Sequence, residues 1–253
     1  MNPMKALDAI TVVLSRPSHP GNIGAAARAM KTMGLSRLTL VSPRTFPDAE
    51  SRARASGATD VLETADCARD LDTALAGMTW SLAVSARARD LGPLPQSARA
   101  GAAALFARAL RGEPVALVFG NETSGLSNSE LQRCQGVATI PSNPDYGSLN
   151  LAAAVQVLAY ELRMAALMVS DQPPGSKTTP FASPLATHAE QEGFYRHLET
   201  VMIASGFLDP VRPRRILPKL RRLFSRAGLE KNEVDILRGL LRAVESGRQK
   251  ADS

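Results

Sequence analysis

Cysteine and histidine are scarce in this chain, and their positions exclude two kinds of scaffold. The 253 residues include two cysteines, Cys67 and Cys134, and three histidines, His19, His188 and His197. Neither residue type shows the close paired spacing of a zinc site, so we expect no bound metal. Because two distant cysteines give no disulfide framework, we expect a protein of a reducing compartment.

The chain also lacks a long uninterrupted apolar run. The best candidate, residues 149–169, is broken by Asn150, Gln156, Glu161 and Arg163, whereas a membrane-spanning helix needs about 20 mostly apolar residues. Near the N-terminus, Asp8 stands where a signal peptide would have its apolar core. We therefore expect a cytoplasmic protein that does not enter a membrane.

Aromatic residues are few, and acidic residues are missing from one segment. With seven Phe, three Tyr and one Trp, recognition of RNA through stacked bases is not expected. Residues 212–226 contain no Asp or Glu, although the chain as a whole carries a net charge of only +6. The basic residues of this segment are Arg212, Arg214, Arg215, Lys219, Arg221, Arg222 and Arg226. We expect them to form a surface for a polyanion, bound through its backbone and shape; a solvated helix face is the alternative.

The rest of the composition is that of a folded protein, with 44% hydrophobic and 21% charged residues. Short β-rich runs alternate with Ala-rich helical runs, which predicts a parallel α/β sheet with crossover helices. The predicted strands cover residues 10–14, 37–41, 80–85, 115–119 and 137–140, with a weaker one at 61–62. The predicted helices cover residues 22–33, 67–76, 98–110, 129–135 and 149–169.

A change of composition after residue 170 predicts a second unit. Residues 171–188 are rich in Pro, Ser and Thr, which is typical of a linker. Beyond it, residues 189–205, 213–227 and 230–245 read as three helices that carry the basic segment. We therefore divide the chain into an α/β domain (1–170), a linker (171–188) and a small helical domain (189–253).

Three segments of the α/β domain combine a strand end with glycine and polar residues. In the first, Gly21 and Gly24 flank Asn22 at a predicted helix start, and Arg28 follows one turn later. Backbone N–H groups there are expected to face an anion or a ribose oxygen, with Arg28 as an added positive charge. The segment does not have the G-x-G-x-x-G pattern of a dinucleotide-binding fold, and an ordinary turn is the plainer interpretation.

The second and third segments also combine a predicted strand end with glycine and polar residues. Gly120 and Gly125 have the spacing of a phosphate-binding loop, but Leu126 stands where that loop needs Lys. Asn121 and Glu122 follow a predicted strand, where α/β sheets bind ligands. In the third segment, Ser148 and Asn150 precede a helix, so they either cap that helix or contact a ligand.

Together the three segments resemble the motifs of the SpoU branch of the SPOUT RNA 2′-O-methyltransferases. The resemblance covers about residues 8–170. The matching residues are Asn22, Gly24 and Arg28; Gly120, Asn121, Glu122 and Gly125; and Ile140, Pro141, Ser148, Leu149, Asn150, Ala152, Ala154, Tyr160 and Glu161.

The resemblance implies an α/β fold whose residues 119–163 form a deep trefoil knot that binds S-adenosyl-L-methionine. It assigns the cofactor to Val84, Ser85, Ala86, Gly120, Ile140, Ser148, Leu149 and Asn150. It also implies a homodimer. The apolar stripe Leu151, Val155, Leu158 and Leu162 would suit either the subunit interface or the core of one chain.

The same resemblance implies roles in catalysis. It places Arg28, Ser148 and Asn150 at the reacting ribose, and Asn22, Gly24, Asn121 and Glu122 in the loops around it. Free guanidinium holds its proton tightly, so Arg28 is interpreted as the group that orients the target phosphate and ribose. The basic segment would bind the body of the tRNA.

Within the family, residues 84–87 and the helical extension look like the TrmJ type of tRNA methyltransferase, which modifies nucleotide 32 of the anticodon loop. Modification of nucleotide 34 or 18, or of ribosomal RNA, is the alternative within the class. Outside it, a non-enzymatic RNA-binding or assembly protein would share the basic tail, and a Rossmann-type transferase would need a glycine fingerprint that this chain does not have.

Overall fold

The computed structural model describes residues 2–86, 94–170 and 183–251. Within them, parallel strands form one seven-stranded sheet of order β3-β2-β1-β6-β4-β7-β5. The strands are β1 Ile10–Ser15, β2 Arg37–Val41, β3 Asp66–Ala68, β4 Trp80–Val84, β5 Pro95–Ser97, β6 Val115–Phe119 and β7 Gly136–Thr139. This order places β6 beside β1, although about 100 residues of sequence separate them. The α/β prediction is therefore confirmed, while the knot stays a prediction.

Helices cover both faces of the sheet. The α/β domain contains α1 Pro3–Ala6, α2 Pro20–Met33, α3 Ala49–Ala55, α4 Thr59–Glu63, α5 Leu71–Leu75, α6 Ala98–Leu110, α7 Asn128–Arg133 and α8 Leu151–Ser170. The larger core packs α1, α2, α6 and α8 against one face, and a smaller core packs α5 and α7 against the other. Burial on both faces explains why the central strands read as continuous apolar runs.

Helix α8 belongs to the larger core. Its stripe Leu151, Val155, Leu158 and Leu162 is buried within the chain, so the alternative in which this stripe forms a subunit interface is wrong. Over Leu151–Val169, α8 is long and apolar enough to cross a membrane by length and composition alone. Its inward face packs against α2 and α6 in the larger core.

Two predicted elements are wrong at the edge of the sheet. Residues 61–62 lie in helix α4 rather than in a strand, and their side chains pack into the larger core. The edge strand is instead β3, which takes up the first residues of the predicted helix 67–76. That helix therefore begins later, as α5, and Asp70 caps it: the Asp70 carboxylate accepts a hydrogen bond from the Thr73 N–H at 2.7 Å. Helix α3 and strand β5 were not predicted, because polar residues dominate these short pieces.

The second unit contains α9 His188–Ala204, α10 Ile216–Ala227 and α11 Lys231–Ala251. Its core includes the buried side chains of Phe194, Val234 and Leu241. Of the predicted linker 171–188, residues 171–182 lie outside the described part. The remainder joins the helical unit, since the Ala186 N–H donates to the Leu229 carbonyl at 2.9 Å.

Polar contacts attach the helical unit to the sheet domain. The Asp72 carboxylate of α5 accepts a hydrogen bond from Arg133 of α7 at 2.7 Å and lies 3.0 Å from Nε2 of the buried His188. The His188 N–H donates to the Met78 carbonyl at 2.6 Å. The first turn of α9 is therefore fixed on the face of the sheet that α5 and α7 cover.

Candidate active site

The three polar segments meet at one edge of the sheet. The loop after β1, the loop after β6 and the loop after β7 all leave the carboxyl ends of parallel strands, two of which are direct neighbours. Open α/β sheets bind their ligands at this edge. The strand order thus brings together in space three segments that lie far apart in the sequence.

A chain of side-chain hydrogen bonds joins one residue from each segment. Asn22 donates through Nδ2 to Oε1 of Glu122 at 3.0 Å, and Asn150 donates through Nδ2 to Oδ1 of Asn22 at 2.9 Å. Asn150 also caps α8, because its Oδ1 accepts from the Ala152 N–H at 2.9 Å. Asn150 therefore caps α8 and links the third segment to the first, while its contact with a ligand stays a prediction.

Glu122 is held in its charged form. Burial by itself would raise the pKa of its carboxyl, but hydrogen bonds from Asn22 and from the backbone and hydroxyl of Ser18 outweigh burial and lower the pKa from 4.5 to about 2. A carboxylate that accepts several hydrogen bonds loses basicity in this way. Glu122 is consequently suited to holding loops together and unsuited to accepting a proton.

The Glu122 carboxylate also lies close to the N-terminus of α2. It accepts from the N–H groups of Ser18 at 2.9 Å and His19 at 3.3 Å, just before the helix begins. Its charge suits the positive end of the helix dipole. Its backbone donors precede Gly21 and Gly24, so an anion or ribose oxygen at the helix start itself stays a prediction.

The loop after β6 has its shape because of Asn121 and Gly120. Asn121 accepts from the N–H groups of Thr123 at 2.8 Å and Ser124 at 3.0 Å, and donates to the Arg16 carbonyl at 3.2 Å. A Cβ on Gly120 would lie 2.2 Å from backbone atoms of Gly125. Only glycine fits where the chain approaches itself this closely.

Sequence reasoning did not assign Glu130 to the site, although the structure places its buried carboxylate beneath the same loop. Ser15 and Arg16, at the end of β1, donate to it at 2.5 and 2.7 Å, and Ser127 donates its backbone N–H at 2.8 Å. Burial alone would raise its pKa, but these bonds lower it. Ser127 and Glu130 also form a capping box at the start of α7, and the Ser-x-x-Glu spacing is the signal for Glu130 that the sequence offers.

A cavity of about 550 Å³ opens beside these loops, a size typical of small-molecule sites. Seven of the eight residues predicted to bind the cofactor line it, together with Asn121 and Glu122. The seven are Val84, Ser85, Ala86, Gly120, Ile140, Ser148 and Leu149. Asn150 is not among the lining residues, and Arg87 lies outside the described residues.

The three predicted site residues of the first segment, Asn22, Gly24 and Arg28, are not among the residues that line the cavity. Gly24 is buried where α2 crosses α3, and a Cβ there would lie 2.1 Å from the Ser51 carbonyl oxygen, so helix packing explains this glycine. Arg28 is exposed on α2. In the part of the chain that the structure describes, its guanidinium makes no hydrogen bond or ion pair, so it is free to meet an outside phosphate.

The basic segment divides into two kinds of residue. Arg221 pairs with Glu192, with Nη2 2.8 Å from Oε2, and lies 4.3 Å from the centre of the Tyr195 ring. It is thus part of the helical core rather than a free cation, which corrects its assignment to RNA. The other six form no ion pair within the described ranges, and five of them are exposed: Arg212, Arg214, Arg215, Lys219 and Arg226.

This site is matched by a family of known proteins. The sequence model of the SpoU rRNA Methylase family covers residues 9–160, which is more than half of the chain. The chain therefore belongs to this family of RNA methyltransferases. A second sequence model, the C-terminal domain of the tRNA methyltransferase TrmJ, covers residues 189–253. The predicted resemblance to the TrmJ type is confirmed.

Relatives of nearly the same length support this assignment. The chain is 50% identical over 240 residues, 93% of each chain, to the tRNA (cytidine/uridine/adenosine-2′-O-)-methyltransferase TrmJ of Pseudomonas aeruginosa. It is 46% identical to the tRNA (cytidine/uridine-2′-O-)-methyltransferase TrmJ of Cronobacter sakazakii, over 96% of this chain and 98% of that one. The crystal structure of TrmJ from Z. mobilis ZM4 superposes with a TM-score of 0.78 at 31% identity, over 93% of this chain and 98% of that chain.

Proposed function

We propose that this protein transfers a methyl group from S-adenosyl-L-methionine to the ribose 2′-hydroxyl of a cytidine or uridine in tRNA, at nucleotide 32 of the anticodon loop. The observation that carries the proposal is the hydrogen-bonded chain Glu122–Asn22–Asn150, which joins all three family motifs and reaches the cavity wall at Glu122. A protein that only bound RNA would have no use for such an arrangement beside a cavity for a small molecule.

The cavity suits the cofactor. Val84, Ile140 and Leu149 offer apolar walls for an adenine ring, and Ser85, Gly120 and Ser148 offer small side chains and backbone polar groups. S-adenosyl-L-methionine supplies a methyl group on a sulfonium, which is already a good leaving group. The chain's own residues must therefore mainly align the hydroxyl with that methyl and assist loss of the proton.

The residues at the site divide this work. The exposed, unpaired guanidinium of Arg28 would orient the target phosphate and ribose through paired hydrogen bonds. Ser148 would contact the ribose from the cavity wall, and Asn150 would hold Asn22 and the start of α8 in register. Glu122 would keep the loops after β1 and β6 together.

The proton of the 2′-hydroxyl leaves to a group outside these side chains. The Glu122 carboxylate already accepts hydrogen bonds from Ser18, His19 and Asn22, which occupy its oxygens. Arg28 holds its proton too tightly. The 2′-oxygen becomes strongly acidic as its bond to the methyl group forms, so the target phosphate or water can take the proton without being a strong base.

The partners in this proposal are tRNA and a second copy of the chain, in the cytoplasm and without a metal. The free cations of the basic segment support binding of the tRNA body through its phosphates. On α8, the side chains of Tyr160, Leu167 and Met168 are 47%, 42% and 66% exposed. Apolar side chains on the outer face of a core helix support a contact with a second subunit.

Methyl transfer to unmodified total tRNA, with label in the methyl group of the cofactor, tests the proposal. The expected result is a 2′-O-methyl group at nucleotide 32, found by mapping the labelled product. Transcripts with C, U or A at that position then measure whether the base matters, since the P. aeruginosa relative is named for adenosine as well. Label at nucleotide 34 or 18 would contradict the position, and label in ribosomal RNA alone would contradict the substrate.

A further inference from the structure

The loop between α9 and α10, residues 205–215, carries an aromatic side chain in an unusual position. Phe207 is 67% exposed, whereas its neighbour Leu208 is 2% exposed. Among the described residues, the exposed aromatic side chains are Phe207, Tyr146 beside the cavity and Tyr160 on α8. A single exposed ring is common on a protein surface, so what it contacts must be inferred from the residues around it.

The loop is held by its own hydrogen bonds, so the position of Phe207 is defined. The Leu208 N–H donates to the Met202 carbonyl at 3.0 Å, which anchors the loop on the end of α9. The Asp209 carboxylate accepts from the Val211 N–H at 2.8 Å, and the Arg212 N–H donates to the Asp209 carbonyl at 3.2 Å. With Leu208 fixed inward, Phe207 is presented outward.

The charge of the loop indicates the chemistry of the partner that contacts Phe207. Arg212, Arg214 and Arg215 lie on the same loop, are exposed, and form no ion pair within the described residues. The acidic residue of the loop, Asp209, is engaged with the backbone. An exposed ring on the same short loop as several unpaired guanidinium groups matches a partner that has flat faces and regularly spaced negative charges, which is a single-stranded nucleic acid.

We propose that Phe207 stacks on an unpaired base of the bound tRNA while the loop arginines contact phosphates next to that base. This inference rests on the proposed function and adds to it a point of contact with unpaired RNA. The scarcity of aromatic residues predicts recognition through backbone and shape, but one exposed ring is enough to hold one base.

Binding by the full-length chain, without S-adenosyl-L-methionine, tests this contact. We expect Phe207→Ala to raise the Kd for unmodified transcribed tRNA by about 5- to 150-fold, the range for loss of one stacked base. The dependence of Kd on salt should stay the same, because no phosphate contact is lost. Phe207→Trp should restore affinity, and its fluorescence should be quenched when tRNA is added.

Val211→Ala is the matched control, because Val211 is 85% exposed on the same loop and has no ring; it should change the Kd less than twofold. A single-stranded RNA oligomer and its duplex form complete the test, since Phe207→Ala should weaken binding of the single strand alone. Unchanged tRNA affinity in Phe207→Ala, failure of Phe207→Trp to restore it, or an equal effect of Val211→Ala would overturn the inference. Absence of methyl transfer by the wild-type protein would instead contradict the proposed function and leave this binding comparison valid.

Discussion

The motif loops at the sheet edge and the basic segment 212–226 use polar residues in opposite ways. At the sheet edge, Glu122, Asn22 and Asn150 satisfy one another through hydrogen bonds, and the charge of Glu122 is compensated by donors. In the basic segment, Arg212, Arg215 and others extend into solvent with no ion-pair partner in the described ranges.

This difference indicates that the sheet edge fixes the geometry of the site, whereas the basic segment provides affinity for a polyanion. Mutually bonded side chains have fixed positions, which suits a site where atoms must be aligned. Unpaired surface cations keep their freedom and their charge, which suits contact with phosphates of varied conformation. Two arginines are exceptions. Arg28 has no ion-pair partner in the described structure although it is assigned to the active site, and Arg221 is ion-paired although it lies in the basic segment.

Arg28 gives the largest expected effect. Arg28→Ala should reduce methyl transfer by roughly 10²–10³-fold, the usual loss when one group that acts on the reacting atoms is removed. Cofactor affinity should change little, since Arg28 does not line the cavity. Single-turnover rates and calorimetric titration with S-adenosyl-L-methionine measure the two quantities, and equal loss of both would refute the role.

Arg221 should behave as a core residue. In Arg221→Ala the Glu192 carboxylate, which is 11% exposed, loses its partner, so we expect the helical unit to lose about 3 kcal/mol of stability. Arg222→Ala, a neighbour without an ion pair in the described structure, is the control and should unfold like the wild type. Thermal unfolding followed by circular dichroism distinguishes them; equal midpoints would place Arg221 among the RNA-binding residues.

Glu122 should show a pH-dependent contribution to stability. Its folded pKa of about 2 lies below the ordinary 4.5, so its stabilisation is full above pH 4.5 and is lost as the pH falls towards 2. Glu122→Gln should cost about 2 kcal/mol at pH 7, the usual value of hydrogen bonds to a charged group, and much less at pH 3. Urea unfolding at both pH values measures this.

Glu63→Gln is the matched control for that experiment. Its pair with Arg52 has a 3.3 Å separation with both side chains more than half exposed, and exposed pairs contribute little. A stability difference for Glu122→Gln that does not shrink between pH 7 and pH 3 would show that the carboxylate charge is not what joins the loops.

A single cation of the basic segment gives the smallest effect. Arg215→Ala should weaken tRNA binding a few-fold, roughly by the loss of one phosphate contact, and lower the salt slope by about 1. Arg242→Ala removes the same charge from the exposed surface of α11 and should leave the slope unchanged. Equal slopes for the two variants would mean that the segment 212–226 is only a solvated face.

Most of the regular structure could be predicted from local patterns. Strands β2 and β6 and helix α6 have the predicted bounds, because continuous apolar runs and helical spacing are properties of neighbouring residues. Gly34 ends α2 with a left-handed φ of 87°, as its place after an apolar run predicts. Local rules failed at the sheet margin, where α4 and β3 are too short to show a period.

The sequence by itself therefore determined the class of fold, the three motif segments, the helical extension and the excess of basic residues. The tertiary structure alone decided that Glu122 binds the backbone just before α2, that Gly24 serves helix packing, and that Arg221 belongs to the core of the helical unit. The physical reason is that hydrogen bonds and close contacts depend on distance in space. Residues 104 positions apart, Ser18 and Glu122, become partners only because β1 and β6 are neighbours in the sheet.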